Sequence, residues 1–133
     1  MRLLYAKVGV LLLVTTALAG EATLPPAKPV SDIKSIAGTW EGTVSLRDAE
    51  ILRYTLTVKD DGSWEGIRYP KRAKGGRLLT FQGTMSVSDG KIRYKNETRG
   101  TTGIFSLHED DGKRMLVGSS ADGKFELTQQ SRP

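Results

Sequence analysis

Apolar and polar residues alternate with a period of two along most of the chain after Gly38. This is the pattern of strands that bury one face and wet the other. Residues 39–46 set Trp40, Gly42, Val44 and Leu46 against Thr39, Glu41, Thr43 and Ser45. Residues 52–59 set Leu52, Tyr54, Leu56 and Val58 against Arg53, Thr55, Thr57 and Lys59. Further strands are predicted at 63–69 (Trp64 and Gly66 inward), 78–87 (Leu79, Phe81, Gly83, Met85 and Val87 inward) and 91–95 (Ile92 and Tyr94 inward). The last three fall at 104–108 (Phe105 and Leu107 inward, Ile104 and His108 outward), 114–118 and 124–129 (Phe125 and Leu127 inward). Asp61-Gly62, Asp89-Gly90, Asp111-Gly112 and Asp122-Gly123 separate several of these runs. Asp-Gly suits tight primed turns because Gly takes positive φ without steric penalty and Asp tolerates it. The polar stretch 96–103 is predicted to be a loop.

No amphipathic helix of useful length follows Ile36, so the apolar face of the sheet must close on itself or on a second sheet. The expected fold class is all-β: an antiparallel up-and-down meander of about eight strands closing into a small barrel. The alternatives are a sandwich or a half-open barrel that dimerises. Gly42, Gly66 and Gly83 on the inward face either relieve strand curvature or leave space inside.

The amino end carries a different signal. Met1-Arg2 with Lys7, the apolar run from Val8 to Leu18, and Ala17-Leu18-Ala19 together fit a cleavable export signal over residues 1–19. The run is too short to span a bilayer as a helix, and no Cys follows it for lipid attachment. Removal of Arg2 and Lys7 takes the formal net charge from +5 to +3. Residues 20–35, with Pro25, Pro26 and Pro29, read as an extended, solvated linker, with a helical turn capped by Ser31 or Asp32 near its end. Residues 36–130 make the barrel domain, held together by core packing alone because the chain has no Cys. The expected location is periplasmic or extracellular, with no transmembrane span after cleavage.

Gly38-Thr39-Trp40, on the first strand after a short turn, resembles the Gly-x-Trp motif of lipocalin-like (calycin-type) barrels. The strand order over residues 36–129 fits that resemblance, which is nearest to small bacterial forms. It implies that Trp40 closes one barrel end, and it implies a ligand-binding habit. No biotin or other ligand motif can be matched.

Catalysis has no candidate residues. There is no Cys, and the one His, His108, reads as a solvated residue beside a turn. Asp60-Asp61-Gly62 and Asp110-Asp111-Gly112 lack the ligand spacing of a calcium loop. No cofactor or metal is expected. Asn96-Glu97-Thr98 matches a glycosylation sequon and reads as chance. The favoured function is an exported, non-enzymatic protein that binds a small apolar or amphipathic ligand in its lumen. Trp40, Tyr54, Trp64, Phe81, Met85, Tyr94 and Phe105 are the lining candidates, with Tyr54 and Tyr94 hydroxyls for orientation. The alternative is an envelope or secreted protein-interaction module, an accessory protein or an enzyme inhibitor. It would use the basic loop of Arg68, Lys71, Arg72, Lys74 and Arg77 and the Arg93, Lys95, Arg99 side to meet an anionic envelope component or protein. Export argues against nucleic acid.

Overall fold

The structure, a computed structural model, describes residues 24–47, 50–71 and 76–131. The export signal, the start of the linker, and Arg72 and Lys74 of the basic loop lie outside the described residues.

The alternating segments form β2 (Gly38–Ser45), β3 (Ile51–Val58), β4 (Ser63–Arg68), β5 (Leu79–Ser88), β6 (Lys91–Asn96), β7 (Thr101–Asp110), β8 (Lys113–Ser120) and β9 (Gly123–Ser131). Each pairs antiparallel with the next, and β9 returns to pair with β2. The result is the expected closed up-and-down barrel of eight strands plus one extra strand, consistent with a lipocalin-like fold. No helix among the described residues is long and apolar enough to cross a membrane.

Two of the four Asp-Gly steps make the primed turn their sequence predicts: Asp89 and Asp111 have φ of 54° and 48°, each followed by a positive-φ Gly. Asp61 and Asp122 keep ordinary negative φ. Asp61 instead accepts from the amide and hydroxyl of Ser63 (2.9 and 2.7 Å). These bonds hold its carboxyl below the usual carboxylate range.

Nearly every residue assigned to the inner face is buried in one core. Leu79 is the correction. It shares the parity of Phe81 but lies beyond the last ring, at the barrel rim, and is 37% exposed. The inward glycines seat neighbours rather than leave a void. A side chain on Gly66 would meet the Tyr54 hydroxyl, one on Gly118 the Phe105 ring, and one on Gly83 the Lys95 carbonyl and Trp64. With Gly83 bare, the Trp64 indole N–H reaches the carbonyls of Thr84 and Lys95, both at 3.2 Å.

The barrel end formed by the β3–β4, β5–β6 and β7–β8 turns is plugged. Over residues 24–36, the stretch expected to be a solvated linker lies against the barrel. Its extended part, β1 (Ala27–Lys28), pairs with Leu107 and His108 of β7, beyond the Phe105 position where β6 stops. Val30 is buried and its amide donates to the Gly90 carbonyl (2.9 Å). A 3-10 turn, Ile33–Ile36, follows; its cap is Asp32, whose carboxylate accepts from the Lys34 amide at 2.9 Å. Ile36 is fully buried. The Trp40 indole N–H donates to its carbonyl (2.9 Å), fixing Trp40 beneath the plug as the Gly-x-Trp resemblance implies. Arg114, 7% exposed, donates to Ser35 O and Gln129 Oε1 (both 2.8 Å), with its guanidinium 5.8 Å from the Trp40 ring centre.

Candidate functional site

The side chains expected to line a lumen all face the interior, but they meet one another. Tyr94 stacks on Trp64 at 5.0 Å and lies 5.2 Å from Phe105; Phe105 and Phe125 are 5.3 Å apart, and Tyr54 meets Phe125 edge-on at 5.1 Å. These separations are contact distances for aromatic rings. Beside these rings lies a recess of about 10 Å³, room for roughly one water. It lies not between the rings but above them, at the barrel end opposite the plug. An apolar ligand in the lumen would have to displace this packed column.

The recess has an apolar, largely aromatic floor and a polar wall. Tyr94 donates its hydroxyl proton to Asp122 Oδ2 (2.9 Å). Asn96 Nδ2 donates to the same carboxylate oxygen (3.1 Å) and to the Tyr94 oxygen (3.2 Å), and the Thr101 hydroxyl adds another bond to Asp122 (2.8 Å). Arg99 Nε lies 3.0 Å from Asp122 Oδ1. Asn96 Oδ1 accepts from the Arg99 amide (3.1 Å), tying the β6–β7 turn to the site. Arg68, directly opposite Tyr54 in the β3–β4 register, reaches over the Phe81 ring, 5.8 Å from its centre. Arg68 makes no ion pair with another described residue. The Tyr54 hydroxyl is buried and has no hydrogen-bond partner among the described residues. Burial pushes the Tyr54 phenol well above its ordinary range. The Asp122 charge adds to the rise and Arg68 opposes it. Tyr94 is raised first by burial, then by Tyr54 and Asp122.

Two of these groups were hidden in sequence. Asp122 looks like turn chemistry, and only the three-dimensional meeting of the β8–β9 turn with β6 gives it a role. Asn96, expected in a loop, is the last residue of β6 and is 1% exposed. Its amide is fully engaged, so the sequon is closed to a glycan in the folded protein.

His108 departs from its expected solvated state. It points outward on β7 but β1 half-buries it. Its Nδ1 donates to the Pro25 carbonyl (2.9 Å), and the Ser106 hydroxyl oxygen lies 3.0 Å from Nε2.

The basic residues divide. Arg47, Lys71, Arg77 and Arg99 are exposed on the loops around the open end, where Arg68 points inward. Arg93 and Lys95 instead border a groove of about 500 Å³ on the outer wall, with Thr84, Thr102 and Ile104. The two clusters therefore form separate surfaces, and Arg99 belongs to the mouth.

No protein-family model, curated protein or solved structure matches the chain.

Proposed function

We propose that this is an exported, non-enzymatic binding protein that recognises an anionic envelope component through the open end of its barrel. One contrast carries the reading: the interior is filled with aromatic rings, while cations from the β2–β3, β4–β5 and β6–β7 loops gather around the unplugged end. Clustered positive charge attracts anionic surfaces at long range and raises local partner concentration. Carriage of an apolar molecule in the lumen is the weaker reading, because the rings already occupy that volume. The non-enzymatic part rests on side-chain chemistry. The lone His is tied to a backbone carbonyl and a Ser, away from the recess.

The test is sedimentation of the protein with phosphatidylcholine vesicles, with and without phosphatidylglycerol, across a salt series. Binding should need the anionic lipid and weaken as salt rises, and Lys71→Gln with Arg77→Gln should reduce it. Equal binding to neutral vesicles, or no effect of salt, would overturn the reading.

A further inference from the structure

Within that anionic-partner reading, the mouth contains a more specific device. The Tyr54 side chain is 2% exposed, yet its hydroxyl has no acceptor among the described residues. Buried polar groups are nearly always paired, so an orphan of this kind asks for a partner from outside the chain. The surrounding charge says which sign that partner carries. Arg68 and Arg99 face a single carboxylate, Asp122, which Arg99 already neutralises. The recess is left with the positive charge of Arg68, one idle hydroxyl donor, one Asp122 oxygen (Oδ1) that has the Arg99 charge beside it but no hydrogen bond among the described residues, and an aromatic floor.

The register extends the argument to the rim. Arg68 lies opposite Tyr54 on one side and opposite Leu79 on the other. Leu79 is 37% exposed. An apolar ledge therefore starts where the donors end. We infer that the mouth seats an anionic oxygen group, a carboxylate or phosphate, attached to an apolar stem. Tyr54 donates its hydroxyl proton to one oxygen, Arg68 supplies the opposing charge, and Leu79 covers the first carbons of the stem. The recess admits one oxygen-sized atom, so the rest of the headgroup stays at the rim beside Arg68.

Isothermal titration with octanoate, octyl phosphate and octanol tests the seat, with Tyr54→Phe, Arg68→Met and the outer-wall control Arg93→Gln alongside the unsubstituted protein. At least one of the two anions should bind roughly ten-fold or more tightly than octanol. Tyr54→Phe and Arg68→Met should each weaken it by about ten-fold or more, as expected for hydrogen bonds to a charged group. Arg93→Gln should change the affinity by less than about two-fold, since Arg93 borders the separate outer-wall groove. Loss of anionic-vesicle binding in Tyr54→Phe as well would identify a lipid headgroup as the source. Soluble-anion binding that Tyr54→Phe weakens, without a matching change on vesicles, would identify a free anion. Anionic vesicles bound by the unsubstituted protein, with Tyr54→Phe unchanged on every probe, would overturn the seat and leave the envelope reading standing, the hydroxyl then serving a trapped water. Octanol bound as tightly as the anions would also overturn the seat. Failure of both anions and anionic vesicles to bind would overturn both.

Discussion

Tyr54 and Tyr94 offer a paired experiment, because two tyrosines in one core should respond to the same substitution with opposite signs. Tyr94 donates to the Asp122 carboxylate at 2.9 Å and accepts from Asn96 at 3.2 Å. Tyr94→Phe removes a hydrogen bond to a charged group, which is worth about 1.5–3 kcal/mol. Asn96 keeps its bond to Asp122 at 3.1 Å, so little further loss is expected from that side. Tyr54 has no such bond to lose among the described residues. An unsatisfied buried hydroxyl costs about 1–3 kcal/mol, and a trapped water would recover part of it. Tyr54→Phe should therefore raise stability by about 1 kcal/mol, with the ring contacts to Phe81 and Phe125 unchanged. For a domain of this size, about 1 kcal/mol corresponds to a midpoint shift of about 4–8 °C. Thermal and urea unfolding of the two variants, followed by circular dichroism, would read the difference directly. Tyr54→Phe should melt above the parent and Tyr94→Phe well below it. A Tyr54→Phe variant destabilised as much as Tyr94→Phe would mean that the hydroxyl has an internal partner, and the argument for an outside ligand would fail with it.

Other consequences are equally open to measurement. Gly83→Ala places a methyl against the Lys95 carbonyl and Trp64, so it should lower urea-unfolding stability by about 3 kcal/mol, the upper end for overpacking. Gly112→Ala, whose strain comes only from a φ of 82°, should lower it by about 1 kcal/mol. Arg114→Met breaks the bonds to Ser35 and Gln129 that hold the plug, and should speed hydrogen exchange at the Val30 and Ala37 amides ahead of the barrel strands. Because Tyr54 and Tyr94 ionise only well above the ordinary phenol range when folded, their contribution to stability is complete below about pH 10 and is lost as pH rises toward their folded values. Ultraviolet titration should show both phenols appearing together with loss of near-ultraviolet circular dichroism; ionisation of either in a still-folded protein near pH 10 would contradict their burial.

The strands were readable because alternation encodes a face. Leu52, Tyr54, Leu56 and Val58 could share a side only if that side was dry, and they do. Leu79 shows the limit of that code, since parity gives direction but not depth, and a residue past the last ring remains wet. The prolines at 25, 26 and 29 correctly signalled extended chain, yet nothing local could show that β7 outruns β6 and leaves a place for β1. Asp122 was equally opaque. Its role depends on meeting Tyr94, Asn96 and Thr101 in space, and the Asp-Gly step already had a sufficient local explanation. Whether inward glycines open a lumen or seat rings is a question of volume, and sequence carries no volume until the register is fixed. Gly66 beneath Tyr54 and Gly118 beneath Phe105 decide it.

The single seam between β2 and β9 sets how the chain can assemble. Every other pairing around the ring joins sequence neighbours, so those hairpins can zip with little entropic penalty, whereas this one brings the two extremities of the domain together. Gly42 sits on that seam, bare where the Glu126 carbonyl crosses. Closing the ring at this seam thus carries the largest loop-closure cost of any pairing around the barrel, and a bulkier residue at Gly42 should weaken that closure before it disturbs any individual hairpin.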